Sequence, residues 1–494
     1  MNLTDHLSVL AIIIPLLAAP LCVLVARGGG AWLVALVATW SSFFAAVALH
    51  AQVMDSGTVS YLLGGWAAPW GIEYRVDLLG SYVLLIVTAI AALVMCFARL
   101  SVEREIPEEN HAQFYAALLL ALAGLAGIIT TGDAFNVFVF LEISSLASYA
   151  LISMGKDRRA LSAAFQYLVM GTIGATFILI GIGFLYMMTG TLNMQDLATR
   201  LPELTDTRTV RAGFAFLVVG IGLKLALFPL HLWLPNAYAY APSVVSALLA
   251  ATATKVAVYA MLRFMFTIFG VEFAFDAMPL GLILITLGMV AILTASLVAV
   301  FQENIKRLLA YSSVAQIGYI ALGIGLASAT GVTAAVLHLF NHALMKGALF
   351  LALGAVVYRI GVVSLHDFKG LGRHMPWTMA AIVIGGLSLI GVPPTAGFVS
   401  KWYLVLGVLE QNLWPLAVLI LIGSFLALIY VWKIIEAAYL STRDKKAAAV
   451  AEAPFSLLLP VWVLVGANLY FGIHTDLTVG VAERIANLLL GAGG

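Results

Sequence analysis

Leu223-Lys224-Leu225-Ala226-Leu227-Phe228-Pro229 sets a cation and a proline inside an otherwise apolar run, and Gly391-Val392-Pro393-Pro394-Thr395-Ala396-Gly397 interrupts a second run in the same way. Proline lacks a backbone donor and clashes with the preceding turn, so each run reads as a helix broken at membrane depth. Such breaks are tolerated only where protein or water receives the freed backbone groups. Working outward, apolar runs of spanning length start near Leu7, Ala31, Leu78, Ala112, Ala134, Ala163, Arg211, Ser243, Pro279, Leu308, Gly331, Trp377, Leu413 and Pro454. That predicts about fourteen transmembrane helices, with helices seven and twelve broken at Pro229 and at Pro393 and Pro394. The breaks lie five spans apart, an odd number, so matching helices of two such halves point oppositely. The expected fold is an all-α membrane protein with two inverted five-helix repeats and a pathway near the midplane. Its expected divisions are N-terminal helices and an external hairpin in 1–110, a first repeat in 111–270, a second, inverted repeat in 271–440, and a last helix with an amphipathic tail in 441–494.

Composition agrees. Of 494 residues, 63% are hydrophobic and 10% charged, with a mean hydropathy of +1.06, whereas soluble domains hold about 45–50% apolar residues and about 25% charge. The 25 Lys+Arg against 24 Asp+Glu leave no basic field for nucleic acid. Cys22 and Cys96 sit inside apolar runs, with no metal, haem or iron–sulfur spacing, so no cofactor is expected. The first apolar run reads as a span rather than a cleavable leader, because Asn2 to His6 carries no positive region.

Alternate loops divide the cations unevenly. Arg27, Arg99, Arg104, Lys156, Arg158, Arg159, Lys306, Arg307, Arg359, Lys369, Arg373, Arg443, Lys445 and Lys446 fall on one side, and Arg75, Arg200, Arg208, Arg211 and Arg484 on the other. Fourteen against five places both termini outside the cytoplasm of a cell-membrane protein. The segment from Gly64 to Asp77 suggests a small external hairpin. In the tail, Leu477, Val481, Ile485 and Leu488 recur about once per helical turn, which suggests a surface helix.

Lys224, Lys255, Arg263, Lys346, Lys401, Lys433, Glu142 and Glu436 remain within predicted spans. Lys or Asp at a helix centre costs about 2.5–3.5 kcal/mol on translocon scales, so some of these must face protein or water. Arg263, Lys433 and Glu436 lie near span ends, where snorkelling or a local pair accounts for them. Glu142 has no basic neighbour in sequence, and Lys224, one turn before Pro229, is its expected partner, either as a modulated proton carrier or as a structural ion pair. Lys255 has small and hydroxyl neighbours that leave room for water, and burial disfavours its charged form, so it can release and regain a proton.

His338, His342 and Lys346 follow i, i+4, i+8 and mark one helix face as a proton wire. Metal binding by the two histidines lacks an acidic third ligand, and no metal is expected. Lys401 follows Pro393-Pro394 by about two turns, placed to exchange with the outer side. His231, just after Pro229, either takes up protons or bonds a freed carbonyl. There is no Walker A motif, no dinucleotide fingerprint and no nucleophile paired with a base, so a transporter is expected rather than an enzyme.

Five motifs then stand together: Phe140-Leu141-Glu142; the run from Lys224 through Phe228-Pro229-Leu230-His231-Leu232-Trp233-Leu234-Pro235-Asn236-Ala237 to Ala241-Pro242; Glu303-Asn304-Ile305-Lys306-Arg307-Leu308-Leu309-Ala310-Tyr311-Ser312-Ser313; His342-Ala343-Leu344-Met345-Lys346; and Gly397-Phe398-Val399-Ser400-Lys401. Over about Leu78 to Leu440 the chain resembles the proton-translocating antiporter family. That family is shared by the large subunits of Mrp-type multisubunit cation/proton antiporters and the antiporter-like membrane subunits of respiratory complex I and related hydrogenases. The resemblance implies that Glu142, Lys224, Lys255 and Lys401 are the ionisable residues of helices five, seven, eight and twelve, with His338, His342 and Lys346 on helix eleven. Lysine at 401, asparagine at 236 and the lack of a long carboxy-terminal extension resemble the D-type branch of the Mrp antiporter subunits. The partners so implied are other membrane subunits, the lipid bilayer, protons and, through the complex, sodium. A proton-pumping arm of a redox complex is the alternative.

Overall fold

A computed structural model describes residues 3–25, 29–361, 363–442 and 450–491. Arg27, Arg443, Lys445 and Lys446 of the charge-asymmetry argument lie outside the described residues.

In hydrocarbon a backbone must satisfy its own polar groups, and the apolar runs accordingly become helices. In chain order these are α1 (Leu7–Leu24) and α2 (Gly30–Ser56), then a hairpin of β1 (Val59–Leu62) and β2 (Glu73–Val76), then α3 (Leu78–Glu105), α4 (His111–Thr130), α5 (Ala134–Ser153), α6 (Arg159–Thr189), a short α7 (Met194–Arg200) and α8 (Arg208–Leu225). After the first interruption come α9 (Trp233–Tyr240), α10 (Ser243–Ala251), α11 (Ala253–Leu262), α12 (Leu280–Val300), α13 (Ile305–Gly325), α14 (Ala329–Ile360) and α15 (Pro376–Ile390). The second interruption leads into α16 (Ala396–Glu410), α17 (Trp414–Ile435), α18 (Phe455–Ile473) and α19 (Asp476–Leu489).

Among the described residues, twelve helical segments are long and apolar enough to cross a membrane. The other two expected spans are the interrupted ones. α8 carries Arg208, Arg211 and Lys224, and the twelfth span is split into α15 and α16, each of 15 residues. One break was not foreseen. The span beginning at Ser243 is interrupted at Thr252, whose backbone (φ −125°, ψ −54°) departs from the helix between α10 and α11.

The hairpin is present, and its first strand lies earlier than expected. The strands pair antiparallel with Val59 opposite Val76, and Gly64 and Gly65 take positive φ in the connection. The tail is helical as expected, with Val481 and Ile485 buried and Leu477 and Leu488 67% and 57% exposed. The buried face also includes Thr478, Ala482, Ala486 and Leu489, and the small side chains of Ala482 and Ala486 let α19 approach α14 closely.

The chain forms two compact units: Met1–Met95, Ile106–Leu225 and Thr252–Pro279 make the first; Cys96–Glu105, Ala226–Ala251 and Leu280–Gly494 make the second. In the first, α6 packs along α8 through glycines. A Cβ on Gly220 would come within 2.7 Å of the Gly174 carbonyl oxygen, so the two backbones touch. In the second, α14 is the axis, touching α10, α13, α15, α16, α18 and α19.

A small device recurs once in each unit. Ala134 N donates to Leu192 O and Met194 N to Gly132 O, both at 2.8 Å, while Asp133 caps α5 by accepting from Asn136 N at 2.7 Å. In the second unit Ile305 N donates to Val363 O at 2.8 Å, Leu365 N to Glu303 O at 2.9 Å, and Asn304 caps α13 through Arg307 N at 3.0 Å. In both, a two-bond bridge ties the start of a helix to the loop that follows the next long helix.

Candidate functional site

In the first unit the site is built where α8 stops. Ala226 takes a left-handed conformation (φ 59°), the Phe228–Pro229 bond is cis, and the helix resumes only at Trp233. The last carbonyls of α8 therefore lack helical partners. Lys224, in the final turn, is buried, and its Nζ donates to Ser145 Oγ at 2.8 Å. Glu142 Oε1 lies 3.6 Å from the same nitrogen, close enough for an ion pair, and has no hydrogen-bond donor of its own among the described residues. The expected pair is thus present with a hydroxyl as the direct acceptor. Glu142, Ser145 and Tyr149 follow i, i+3, i+7 on α5 and so share a face. Gly171 of α6 makes room: a Cβ there would sit 1.9 Å from the Tyr149 hydroxyl oxygen and 3.4 Å from Lys224 Nζ.

Lys255, 1% exposed, is in the first turn of α11, just after the Thr252 break. Its Nζ donates to Thr254 Oγ1 at 3.3 Å, and α11 packs against α8 and α4. Tyr259, one turn on, donates to Ile129 O at 2.7 Å. Arg263, another turn on, does not snorkel. It is buried and forks onto Asp77 at 2.7 and 2.8 Å, because the capping residue of α3 supplies a carboxylate at that depth. Lys433 likewise does not rely on Glu436; it donates to Val300 O at 2.6 Å.

In the second unit the buried stripe His338, His342 and Lys346 lies on α14 as expected. The two imidazoles stack at 6.0 Å, 12° from parallel. His338 uses both ring nitrogens, Nε2 with Gln316 Oε1 and Nδ1 with Ser400 Oγ, each at 2.8 Å. An amide oxygen only accepts, so Nε2 carries hydrogen, and neutral His338 takes its second bond from the serine hydroxyl. On protonation Nδ1 becomes the donor, and Ser400 can turn its hydrogen to Gly397 O, 3.3 Å away. Lys346 Nζ donates to Leu309 O at 2.8 Å and to Ser312 Oγ.

Lys401, on α16, is buried and reaches back across the second break. Its Nζ donates to Leu389 O at 2.9 Å, to Ile390 O at 3.0 Å and to Ser424 Oγ at 3.1 Å. The two carbonyls belong to the last turn of α15, so the break itself makes the lysine's acceptors. Gln316 Nε2 also donates to Leu389 O, at 3.5 Å, which joins His338 to the oxygen that Lys401 uses. Tyr319 lies between them, its ring 4.6 Å from Lys401 Nζ and its centroid 5.7 Å from that of His338. A cavity of about 230 Å³ lies against Lys401 and Ser424, walled by Phe398, Trp402, Ile420 and Phe425. His231 is buried, stacked on Phe228 at 5.1 Å and edge-on to Tyr311 at 6.4 Å.

Ser145, Gln316, Ser400, Ser424 and Tyr319 were missed in the sequence. Ser145 could have been found, since it lies one turn from Glu142. The other four gain their roles from helices remote in sequence.

Residues 131–427 match the family described as NADH:quinone oxidoreductase/Mrp antiporter, TM. The NADH-quinone oxidoreductase subunit N of Desulforudis audaxviator (strain MP104C) is 42% identical over 94% of this chain and 94% of its own. The D-type subunit of the Na(+)/H(+) antiporter of Bacillus subtilis (strain 168) is 30% identical over 98% of this chain and 97% of its own. Among solved structures, a chain of the Mrp complex from Dietzia sp. DQ12-45-1b superposes with a TM-score of 0.90 at 26% identity, covering 100% of this chain and 98% of that one. With a multi-pass helical fold, two proline-broken helices and a buried lysine at each break, this chain is a member of the NADH:quinone oxidoreductase/Mrp antiporter family.

Proposed function

We propose that the chain is the proton-translocating subunit of a multisubunit monovalent cation (Na+)/proton antiporter. Protons would pass by way of Glu142, Lys224 and Lys255 in the first unit and His338, His342, Lys346 and Lys401 in the second, with His231 at the uptake side. The observation that carries this reading is the Lys224 centre. A buried ammonium held by a serine at 2.8 Å, with a carboxylate at 3.6 Å, can exchange its proton without a covalent or metal partner. Glu142 is the one acid among these pathway residues, and sodium prefers oxygen ligands, so sodium would cross elsewhere in the complex. The recurring bridges at Asp133 and Asn304 support inverted repeats over 111–270 and 271–440. The loop cations support a plasma-membrane topology with both termini on the non-cytoplasmic side.

The decisive measurement is sodium-driven proton movement in membrane vesicles that hold the assembled complex. Exchange should be lost in Glu142→Gln at unchanged subunit abundance. Near-normal exchange in that variant would overturn the assignment.

A second reading, a proton-pumping subunit of a redox-driven complex, is favoured by the 42% identity to a protein named NADH-quinone oxidoreductase subunit N. It requires proton movement driven by electron transfer and indifferent to sodium in the same vesicles.

A further inference from the structure

The break that holds Lys401 is itself held by a helix beyond the family match, which ends at residue 427. Asn468 of α18 is fully buried and accepts a hydrogen bond from Ser388 Oγ at 2.7 Å. Ser388 in turn accepts from Gly397 N at 3.1 Å, so one hydroxyl spans the interruption from α15 to α16. The next two residues of α15 are Leu389 and Ile390, whose carbonyls hold Lys401. One turn after Asn468, α18 presses on the break again. A Cβ on Gly472 would fall 2.1 Å from the Pro394 carbonyl oxygen.

Asn468 is a poor choice for stability. Its Nδ2 is buried with no hydrogen-bond partner among the described residues, and an unsatisfied buried donor is destabilising. An apolar side chain of similar size would avoid that cost, and Ser388 could then turn its hydroxyl onto its own helix. What leucine could not do is fix the Ser388 hydroxyl against Gly397.

We infer that Asn468 is a positioning residue for proton transfer at Lys401: through Ser388 it sets the geometry of the carbonyls that receive the lysine, and Gly472 lets α18 come close enough to do so. The inference rests on the proton-pathway reading of Lys401.

The test uses the assembled complex in vesicles. Asn468→Leu should keep normal abundance and thermal stability, lower the maximal exchange rate at least fivefold, and move the pH of half-maximal exchange by half a unit or more. Ser388→Ala should lower the rate and move the pH of half-maximal exchange in the same way but with reduced thermal stability, because it removes the partner of Asn468 Oδ1 and of Gly397 N, whereas Ser388→Thr, which retains the hydroxyl, should restore most of the rate. A rate that falls in proportion to protein abundance and equally at every pH, or that does not fall at all, overturns the inference. If wild-type vesicles move protons under redox drive rather than sodium, the antiporter reading fails, and the same pH comparison is made on that flux.

Discussion

Arg263 grips Asp77 in a two-bond fork, Nη2 to Oδ1 at 2.7 Å and Nη1 to Oδ2 at 2.8 Å, across 186 residues of chain. Asp77 also caps α3 by accepting from Gly80 N at 2.9 Å. The pair therefore ties the start of α3 to the C-terminal end of α11, the helix that carries Lys255.

Removing one partner of such a pair strands the other. Breaking a buried ion pair costs about 3–5 kcal/mol, and with the Asp77 side chain 31% exposed the lower end applies, about 3 kcal/mol for Arg263→Ala. Thermal unfolding of the detergent-solubilised complex should show a clear fall in midpoint, larger than for Lys433→Ala.

The same pair gives stability a pH dependence. Burial works against the charged Asp77 carboxyl, but the charge and hydrogen bonds of Arg263, the Gly80 N–H and the charge of Arg75 together outweigh it and hold the carboxyl below the usual range. A carboxyl whose folded pKa is depressed stabilises above its unfolded value, about 3.9, and that contribution disappears as pH falls through the folded value. The stability gap between the wild type and Arg263→Ala should accordingly be widest near neutral pH and narrow as pH falls below about 3.9, because only the wild type has that contribution to lose.

Gly171→Ala should disable the first-unit centre without touching a charge. The added methyl would overlap the Tyr149 hydroxyl, at 1.9 Å, and crowd Lys224. Proton-coupled exchange should fall at least tenfold, and adding Tyr149→Phe, which removes the clashing oxygen, should return part of it. Equal loss in the single and double variants would show that the crowding is not at Tyr149.

Lys401→Ala should disable transport, while Lys433→Ala should stay within about twofold, because Lys433 spends its charge on a single carbonyl, Val300 O. A silent Lys401 beside a severe Lys433 phenotype would mean that the second-unit pathway runs through α17 instead.

His338 and His342 should act as one wire. Their rings stack at 6.0 Å, and a proton passing along α14 needs both, so His338→Ala with His342→Ala should be little worse than the more damaging single change. Additive losses that follow protein abundance would count against the relay.

The two proline breaks and the Glu142–Lys224 pair could be read from the chain because each violates an otherwise uniform pattern: proline in a helical run, charge in an apolar one. The break at Thr252 could not, since threonine between two alanines carries neither the missing donor of proline nor the freedom of glycine. The partner of Arg263 could not be read because it sits several helices earlier in the chain, and proximity in sequence was the only guide. In the tail the spacing of Leu477, Val481, Ile485 and Leu488 announced a helix but not its packing. Periodicity reports that a helix has an apolar side, but the small side chains of Ala482 and Ala486 decide which side meets α14.

The acceptors at the two breaks differ in kind. Ser145 is a hydroxyl, which can receive a hydrogen bond from an ammonium and, by rotating, give one to the lone pair of an amine. Lys224 can thus remain bonded to it in either state. Lys401 is held by two carbonyls, which never donate, and by one hydroxyl, Ser424. When Lys401 gives up its proton, its new lone pair can be answered, among those three, only by Ser424 turning over. Departure of the proton there is thereby tied to the rotation of a single O–H bond, a mechanical step that the first break does not require.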